Sequence, residues 1–141
     1  MTAQPTRMAL LDVDRRTLRL FALPDLVAIV AFVIVGEYQH GRLAASAANP
    51  RHLLGVLVPF VVGWAIAAPL LRAYSARTNG LRGLVGWTVL AWLAADVVGQ
   101  ALLATGAFSI GFDPVFLVVV AIFGSLFLLI ARGVTHAIAR R

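Results

Sequence analysis

Residues 114–132 read PVFLVVVAIFGSLFLLIAR, an apolar run in which Arg132 is the single charged side chain. A bilayer core needs roughly 20 apolar residues in a helix, so this run is long enough to cross one. Three more runs, at about residues 24–41, 53–71 and 84–105, are also long and apolar. They lack the two-residue alternation of a barrel strand. The sequence therefore predicts an all-α polytopic membrane protein with four transmembrane helices.

The composition supports this prediction. Of 141 residues, 61% are hydrophobic and 13% are charged, whereas soluble domains have about 45–50% and about 25%. A soluble domain of this size has too much surface for its volume to bury so many apolar side chains. The sequence contains no cysteine, which excludes a disulfide framework and a thiolate metal site.

The positive charges predict the orientation. All 12 basic residues are Arg, and the formal net charge is +6. Only Arg42 and Arg51 lie between the first and second runs, and the other ten precede the first run, separate the second from the third, or end the fourth. This asymmetry predicts that both termini are cytoplasmic. Short connections favour an up-down-up-down bundle, which we expect to be a multi-pass protein of the cell (plasma) membrane.

The predicted domains are a cytoplasmic segment at 1–23, a transmembrane domain at 24–132 and a cytoplasmic tail at 133–141. Residues 8–23 mix apolar side chains with Arg and Asp. They fit either a short interfacial helix or a partly ordered tail, because Asp14 interrupts the apolar face. The first run also has a signal-peptide interpretation, since Ala45-Ser46-Ala47 resembles a cleavage site. The charged residues between the apolar run and that site argue against cleavage.

Two acids stand out deep inside predicted helices, where an Asp costs on the order of 2.5–3.5 kcal/mol. At a rise of about 1.5 Å per residue, Glu37 lies roughly 20 Å and Asp96 roughly 18 Å from the cytoplasmic ends of their helices. His40 shares a helix face with Glu37, and Gln100 shares one with Asp96. Glu37, His40, Asp96 and Gln100 therefore form the candidate intramembrane polar site.

This site has two interpretations. The first is a proton or cation site reached from the outer face, as intramembrane acids are often functional. The second is a set of hydrogen bonds that only hold helices together in lipid. Glu37 and His40 have the Glu-x-x-His spacing of di-iron bundles, but the remaining ligands are too few, so we predict no metal and no cofactor.

Several other residues are expected to have structural roles. Thr88, Trp92, Asp96 and Gln100 form a stripe at four-residue spacing that should face protein or water rather than lipid. Tyr74 fits the inner interfacial belt. The expected packing residues are Asp25, Pro59, Gly63, Trp64, Trp92, Gly99 and Arg132.

The predicted helices together resemble the Domain of Unknown Function 3054 family, small four-helix membrane proteins of bacteria and archaea. The residues that carry the resemblance are Asp25, Gly36, His40-Gly41, Pro59-Phe60-Val61-Val62-Gly63-Trp64, Gly99, Phe116 and Arg132. The family often has a basic residue after the glycine of the third helix, where this chain has Leu102-Leu103, and a Trp before the last Arg, where it has Ala131. The resemblance implies the four-helix membrane fold and no particular activity.

These features favour a small transporter or channel subunit that uses the polar site. Four short helices make a thin pore wall, so we expect a homo-oligomer. The alternative is a non-conducting accessory or assembly protein. A membrane enzyme ranks behind both, because no nucleophile elbow, phosphate loop or zinc motif occurs. We expect the Arg-rich face to contact anionic lipid headgroups and predict no binding of nucleic acid, for which the sequence has no known motif.

Overall fold

The structure is a computed structural model that describes residues 12–141. Within this range the chain forms five α-helices and one 3-10 turn, and it has no β-strand. The helices are α1 (Arg15–Gln39), α2 (Leu43–Ala48), α3 (Pro50–Leu70), α4 (Leu81–Ala104) and α5 (Pro114–Ala139), and the turn is Ala76–Asn79. All but α2 are long and apolar enough to cross a membrane. The predictions of an all-helical chain and four membrane-length helices are confirmed.

The first long helix begins at Arg15 instead of Pro24, because Asp14 caps it. The Asp14 carboxylate accepts hydrogen bonds from the backbone N–H of Thr17 at 2.9 Å and from its hydroxyl at 2.7 Å. Such a cap satisfies donors that an uncapped first turn leaves free. Residues 15–23 are thus continuous with the first span. The part of the predicted interfacial segment before residue 12 lies outside the described residues.

The last long helix continues to Ala139 instead of ending at Arg132. Arg132 does not mark the edge of the apolar segment, because its side chain is fully buried among the other helices. Because its charge is paired with Asp25 inside the protein, Arg132 can lie within the helix, which continues past it.

The four long helices form a bundle in which the backbone of each lies beside two neighbours. α3 packs against α4, α4 against α5, α5 against α1, and α1 against α3. In the part of the chain that the structure describes, α1 and α4 face each other across the diagonal. Arg16, Asn79 and Arg140 meet at one end of the bundle, called here the terminal end. His40, Arg42 and Asp113 meet at the other, called the loop end.

Close helix contacts depend on small residues. Gly63 on α3 lies against the backbone carbonyl of Ala95 on α4, where a Cβ would overlap that oxygen. Gly124 on α5 lies against the indole of Trp92, whose Nε1 donates a 2.9 Å hydrogen bond to the carbonyl of Val120. The absence of a Cβ therefore fixes how near these helices come.

An aromatic layer, formed by Phe32, Phe60, Trp64, Trp92 and Phe116, fills the middle of the bundle. The ring centroids of Trp92 lie 6.4 Å from Phe32, 6.3 Å from Phe60 and 6.1 Å from Trp64. Phe60 and Phe116 are 5.9 Å apart. Aromatic pairs at these distances are favourable. The layer separates a polar region near the terminal end from another near the loop end.

Candidate functional site

A buried ion pair lies on the terminal side of the aromatic layer. Arg132 of α5 donates from Nε to Oδ1 of Asp25 on α1 at 2.7 Å, and from Nη2 to Oδ2 at 2.7 Å. Both side chains are 0% exposed. This two-point geometry is the strong form of an Arg–carboxylate interaction. It links the first and last membrane-length helices.

Further groups complete what we call the Asp25–Arg132 network. Nη1 of Arg132 donates to the carbonyl of Ala73 at 2.8 Å and to the hydroxyl of Thr88 at 3.1 Å. The hydroxyl of Tyr74 donates to Oδ2 of Asp25 at 2.6 Å. The network therefore ties α1, α4, α5 and the connection after α3 together.

Aromatic rings surround the guanidinium of Arg132. Its Cζ lies 4.9 Å from the centroid of Phe21, 5.4 Å from Trp64 and 5.1 Å from Tyr74. Cations in such positions are attracted to the faces of aromatic rings. The charge is thus compensated within the protein and needs no ligand.

Tyr74 is part of this network and not of an interfacial belt. Its side chain is buried, and it accepts a 3.0 Å hydrogen bond from Nε1 of Trp64 while donating to Asp25. The belt prediction was wrong because it considered only position along the chain. Burial, and then the nearby Asp25 carboxylate, raise the pKa of Tyr74 above its ordinary value. The phenol therefore stays a neutral donor.

A second acid, Glu37, lies near the loop end. Its Oε1 is 3.1 Å from Nη2 of Arg42, and its Oε2 accepts a hydrogen bond from the hydroxyl of Ser46. Nε2 of His52 lies 3.3 Å from Oε2 but is not aligned for a hydrogen bond. These four residues form the Glu37 cluster. The carboxylate is buried, but the side chain of Arg42 is 49% exposed.

A cavity of about 400 Å³, the loop-end cavity, opens beside this cluster. Its polar lining residues are Glu37, His40, Arg42 and Asp113, and its apolar walls include Phe32, Val33, Val56, Phe60, Phe116 and Val119. Gly36 also lines the cavity, and a Cβ at that position would meet open space. The cavity thus combines a polar rim with aromatic and aliphatic walls.

The third polar group is the pair of Asp96 and Gln100 on α4. Nε2 of Gln100 donates to Oδ1 of Asp96 at 3.3 Å, and both residues are 2% exposed. Oε1 of Gln100 is buried without a hydrogen-bond partner among the described residues. Thr88 and Trp92, the rest of the predicted stripe, are also fully buried, so the whole stripe faces protein.

The structure divides the predicted polar site into two parts. Glu37 and His40 line the loop-end cavity, whereas Asp96 and Gln100 do not. In residues 12–141 neither hydrogen bonds nor ion pairs connect the two parts. The sequence placed both acids at a similar depth, but it did not reveal that α1 and α4 are diagonal helices.

Sequence reasoning missed the partners of Glu37. Ser46 lies on α2 and His52 on the first turn of α3, so both reach Glu37 only because the connection folds back over the end of α1. Arg42 follows Glu37 by five residues and gave the one available signal. Within the described range no three His, Asp or Glu side chains are grouped as metal ligands.

Comparisons with known proteins agree with the resemblance found in the sequence. No curated protein and no solved structure matches the chain. The family described as "Protein of unknown function (DUF3054)" matches residues 22–135. This range contains the ion pair, the Glu37 cluster and the loop-end cavity. The chain therefore belongs to the DUF3054 family.

Proposed function

We propose that this protein is a small transporter subunit in which a small organic cation enters through the loop-end cavity. The observation that carries the proposal is the cavity itself, about 400 Å³ in volume with Glu37 and His40 in its lining. Ligand sites are typically concave, mostly apolar and furnished with a few placed polar groups. The loop-end cavity has these properties.

The lining favours a cation. It contains two carboxylates, Glu37 and Asp113, against one guanidinium, Arg42. Phe32, Phe60 and Phe116 add three aromatic rings, and organic cations bind favourably to ring faces. Because Glu37 is already paired with Arg42, its first role is to hold the rim in place. A cation competes with Arg42 for the same carboxylate.

The closed middle of the bundle favours a transporter over an open channel. The aromatic layer lies directly beneath the cavity, and the Asp25–Arg132 network fills the space beyond it. Passage through one chain requires these groups to separate. Four helices leave no spare wall for a wider path, which supports a homo-oligomer as the working form.

The orientation we propose places the terminal end in the cytoplasm, with the four long helices alternating in direction across the plasma membrane. Arg132 is excluded from the charge comparison because it is buried in the bundle. Nine Arg then remain on the terminal side against Arg42 and Arg51 on the other. This distribution supports cytoplasmic termini. The loop-end cavity would thus open to the outside.

A specific observation favours a second function, that of a non-conducting accessory protein. Asp96 is sealed by Gln100, and the Asp25–Arg132 network satisfies its own charges. The Asp25–Arg132 network holds helices together in lipid, whereas the Asp96–Gln100 hydrogen bond stays within α4. If the cavity holds only lipid or water, these contacts describe a rigid membrane scaffold.

The test is flux into liposomes that contain the purified protein, measured for protons, potassium and tetraethylammonium. Gly36→Leu narrows the cavity, because Gly36 lines it and a Cβ at this position meets open space. Its matched control is Gly86→Leu, because Gly86 on α4 also has open space around it but does not line the cavity. We expect wild-type flux of tetraethylammonium, loss of that flux in Gly36→Leu, and wild-type flux in Gly86→Leu.

Two variants that each remove one negative charge test separately whether Glu37 and Asp96 contribute to flux. We expect Glu37→Gln to lower flux and Asp96→Asn to leave it unchanged, because Asp96 does not reach the cavity. Loss of flux in Asp96→Asn would restore the four-residue site predicted from the sequence. Absence of flux for all three cations in folded wild-type protein would reject the transporter and favour the accessory function.

A further inference from the structure

A second pocket lies at the terminal end of the bundle, separate from the loop-end cavity. Its volume is about 230 Å³, several times the roughly 30 Å³ that one water molecule occupies in the liquid. Arg16 of α1, Asn79 of the 3-10 turn, and His136 and Arg140 of α5 contribute its polar side chains. We call it the Arg16–Arg140 pocket.

The basic groups of this pocket have no acidic partner. None of Arg16, His136 and Arg140 lies within 4.0 Å of a carboxylate among the described residues, and residues 1–11 contain no Asp or Glu. Asp14, two residues before Arg16, uses its carboxylate to cap Thr17. The lining itself contains no acid. An excess of positive charge therefore remains in a concave site.

The polar side chains of the Arg16–Arg140 pocket also have N–H groups without a hydrogen-bond partner among the described residues. The side chains of Arg16, Asn79, His136 and Arg140 make no hydrogen bond to any other residue in the range 12–141. The two threonines of the lining are different, because Thr17 already donates to Asp14 and Thr78 to the carbonyl of Ser75. Four side chains with unused N–H groups thus surround one space.

The floor of the pocket separates it from the bundle core. Phe21 lines the pocket and also stacks on the guanidinium of Arg132, 4.9 Å from its centroid. The positive charge of Arg132 is neutralised by Asp25, so the charge offered to a ligand comes from the exposed residues. Arg16, Asn79 and Arg140 are exposed, so the pocket is accessible from the terminal end.

We propose that the Arg16–Arg140 pocket binds a phosphate group, either that of an anionic lipid headgroup or that of a small free phosphate compound. Guanidinium groups match the geometry of phosphate oxygens, and hydrogen bonds to phosphate from charged donors are the strong ones. The amide of Asn79 supplies a neutral donor. The site is independent of transport through the loop-end cavity.

The experiment measures binding to wild-type protein in nanodiscs of phosphatidylcholine with and without phosphatidylglycerol, and separately with added inorganic phosphate. Retained lipid is counted by native mass spectrometry, and affinity is followed by thermal unfolding. Arg16→Gln and Arg140→Gln remove pocket donors. Arg82→Gln is the matched control, because Arg82 is an exposed Arg at the same end that does not line the pocket.

The magnitudes distinguish a site from diffuse attraction. An Arg near an anionic surface contributes roughly fivefold in affinity, whereas a hydrogen bond to a charged group contributes roughly tenfold to a hundredfold. We expect Arg16→Gln and Arg140→Gln to weaken phosphatidylglycerol binding at least tenfold, and Arg82→Gln to weaken it no more than about fivefold. Equal losses in all three variants would overturn the proposal.

The two sources of phosphate give different results. If inorganic phosphate displaces the retained phosphatidylglycerol and stabilises wild type but not Arg16→Gln, the ligand is a free phosphate compound. If only phosphatidylglycerol stabilises the protein, the ligand is a lipid. If neither raises the melting temperature of wild type above that in phosphatidylcholine, the pocket does not bind phosphate. These outcomes do not depend on the flux experiment.

Discussion

The two ends of the bundle each contain a buried carboxylate paired with an Arg, but the pairs differ in their surroundings. Arg132 is 0% exposed and makes four hydrogen bonds, to Asp25, Ala73 and Thr88. Arg42 is 49% exposed and makes one, to Glu37. An ion pair between a carboxylate and an Arg thus lies in the closed core at one end and borders an open cavity at the other.

The difference in solvent exposure between Arg132 and Arg42 determines how easily each leaves its carboxylate. A buried charge whose partner is removed stays uncompensated in a medium of low dielectric constant, so the pair cannot separate easily. An Arg that is half exposed exchanges its carboxylate for water at little cost. The Asp25–Arg132 network is therefore suited to fix helix positions, and the Glu37 cluster is suited to exchange partners with a ligand.

The largest predicted effect compares these two Arg residues. Arg132→Ala should lower the free energy of unfolding by about 3–5 kcal/mol, because Asp25 is left as an uncompensated buried charge. Arg42→Ala should cost less than about 1 kcal/mol. Titration with SDS in mixed micelles measures both values.

A double variant provides the control for the charge argument. Asp25→Asn combined with Arg132→Gln removes both charges and keeps hydrogen-bonding groups, so it should be less destabilising than Arg132→Ala alone. If the double variant loses as much stability as the sum of the losses in Asp25→Asn and Arg132→Gln made singly, the two residues do not act as a pair.

A smaller effect compares packing at two glycines within helices. Gly124→Ala should lower stability by about 1–3 kcal/mol, because the new methyl overlaps the Trp92 indole and overpacking has costs of that size. Gly36→Ala should be neutral or stabilising by about 0.4–1 kcal/mol, since its Cβ enters the open cavity and alanine restricts the unfolded chain. Equal losses at both positions would mean that the cavity is closed.

The smallest predicted effect concerns Asp96. Asp96→Asn keeps the oxygen that accepts the hydrogen bond from Gln100, so the free energy of unfolding should change by less than about 1 kcal/mol. Gln100→Leu in the same micelles removes the bond and shows how much it contributes. A large loss in Asp96→Asn would mean that Asp96 has a charged partner that the present contacts do not include.

Much of the fold could be predicted from the sequence, because the length of an apolar run is a local property. The four membrane-length helices and the family both follow from residues 24–132. The start of α1 also had a local signal, since Asp14 followed by Thr17 is a capping pattern. Asp14 also interrupts an apolar face, so the apolar run alone predicts a later start, at Pro24.

The site could be predicted only in part, because its contacts depend on how the helices are arranged around the bundle. Asp25 and Arg132 are 107 residues apart in the chain, and no spacing rule connects them. Helix rise predicts similar depths for Glu37 and Asp96, which suggested a cluster. It carried no information about which helices are neighbours, and α1 and α4 are not.

The proposed function requires that the loop end is open to water while the aromatic layer and the Asp25–Arg132 network beyond it are sealed. The sequence has no cysteine, so single cysteines on α1 test it directly with a charged, membrane-impermeant thiol reagent. Gly36→Cys faces the cavity. Val35→Cys is the next position in the chain but lies outside the cavity lining, and the native Val35 is 41% exposed. Ala28→Cys lies below the aromatic layer, where the native Ala28 is 4% exposed. We expect labelling of Gly36→Cys alone. Failure of Gly36→Cys to react, or equal reaction at all three positions, would contradict it.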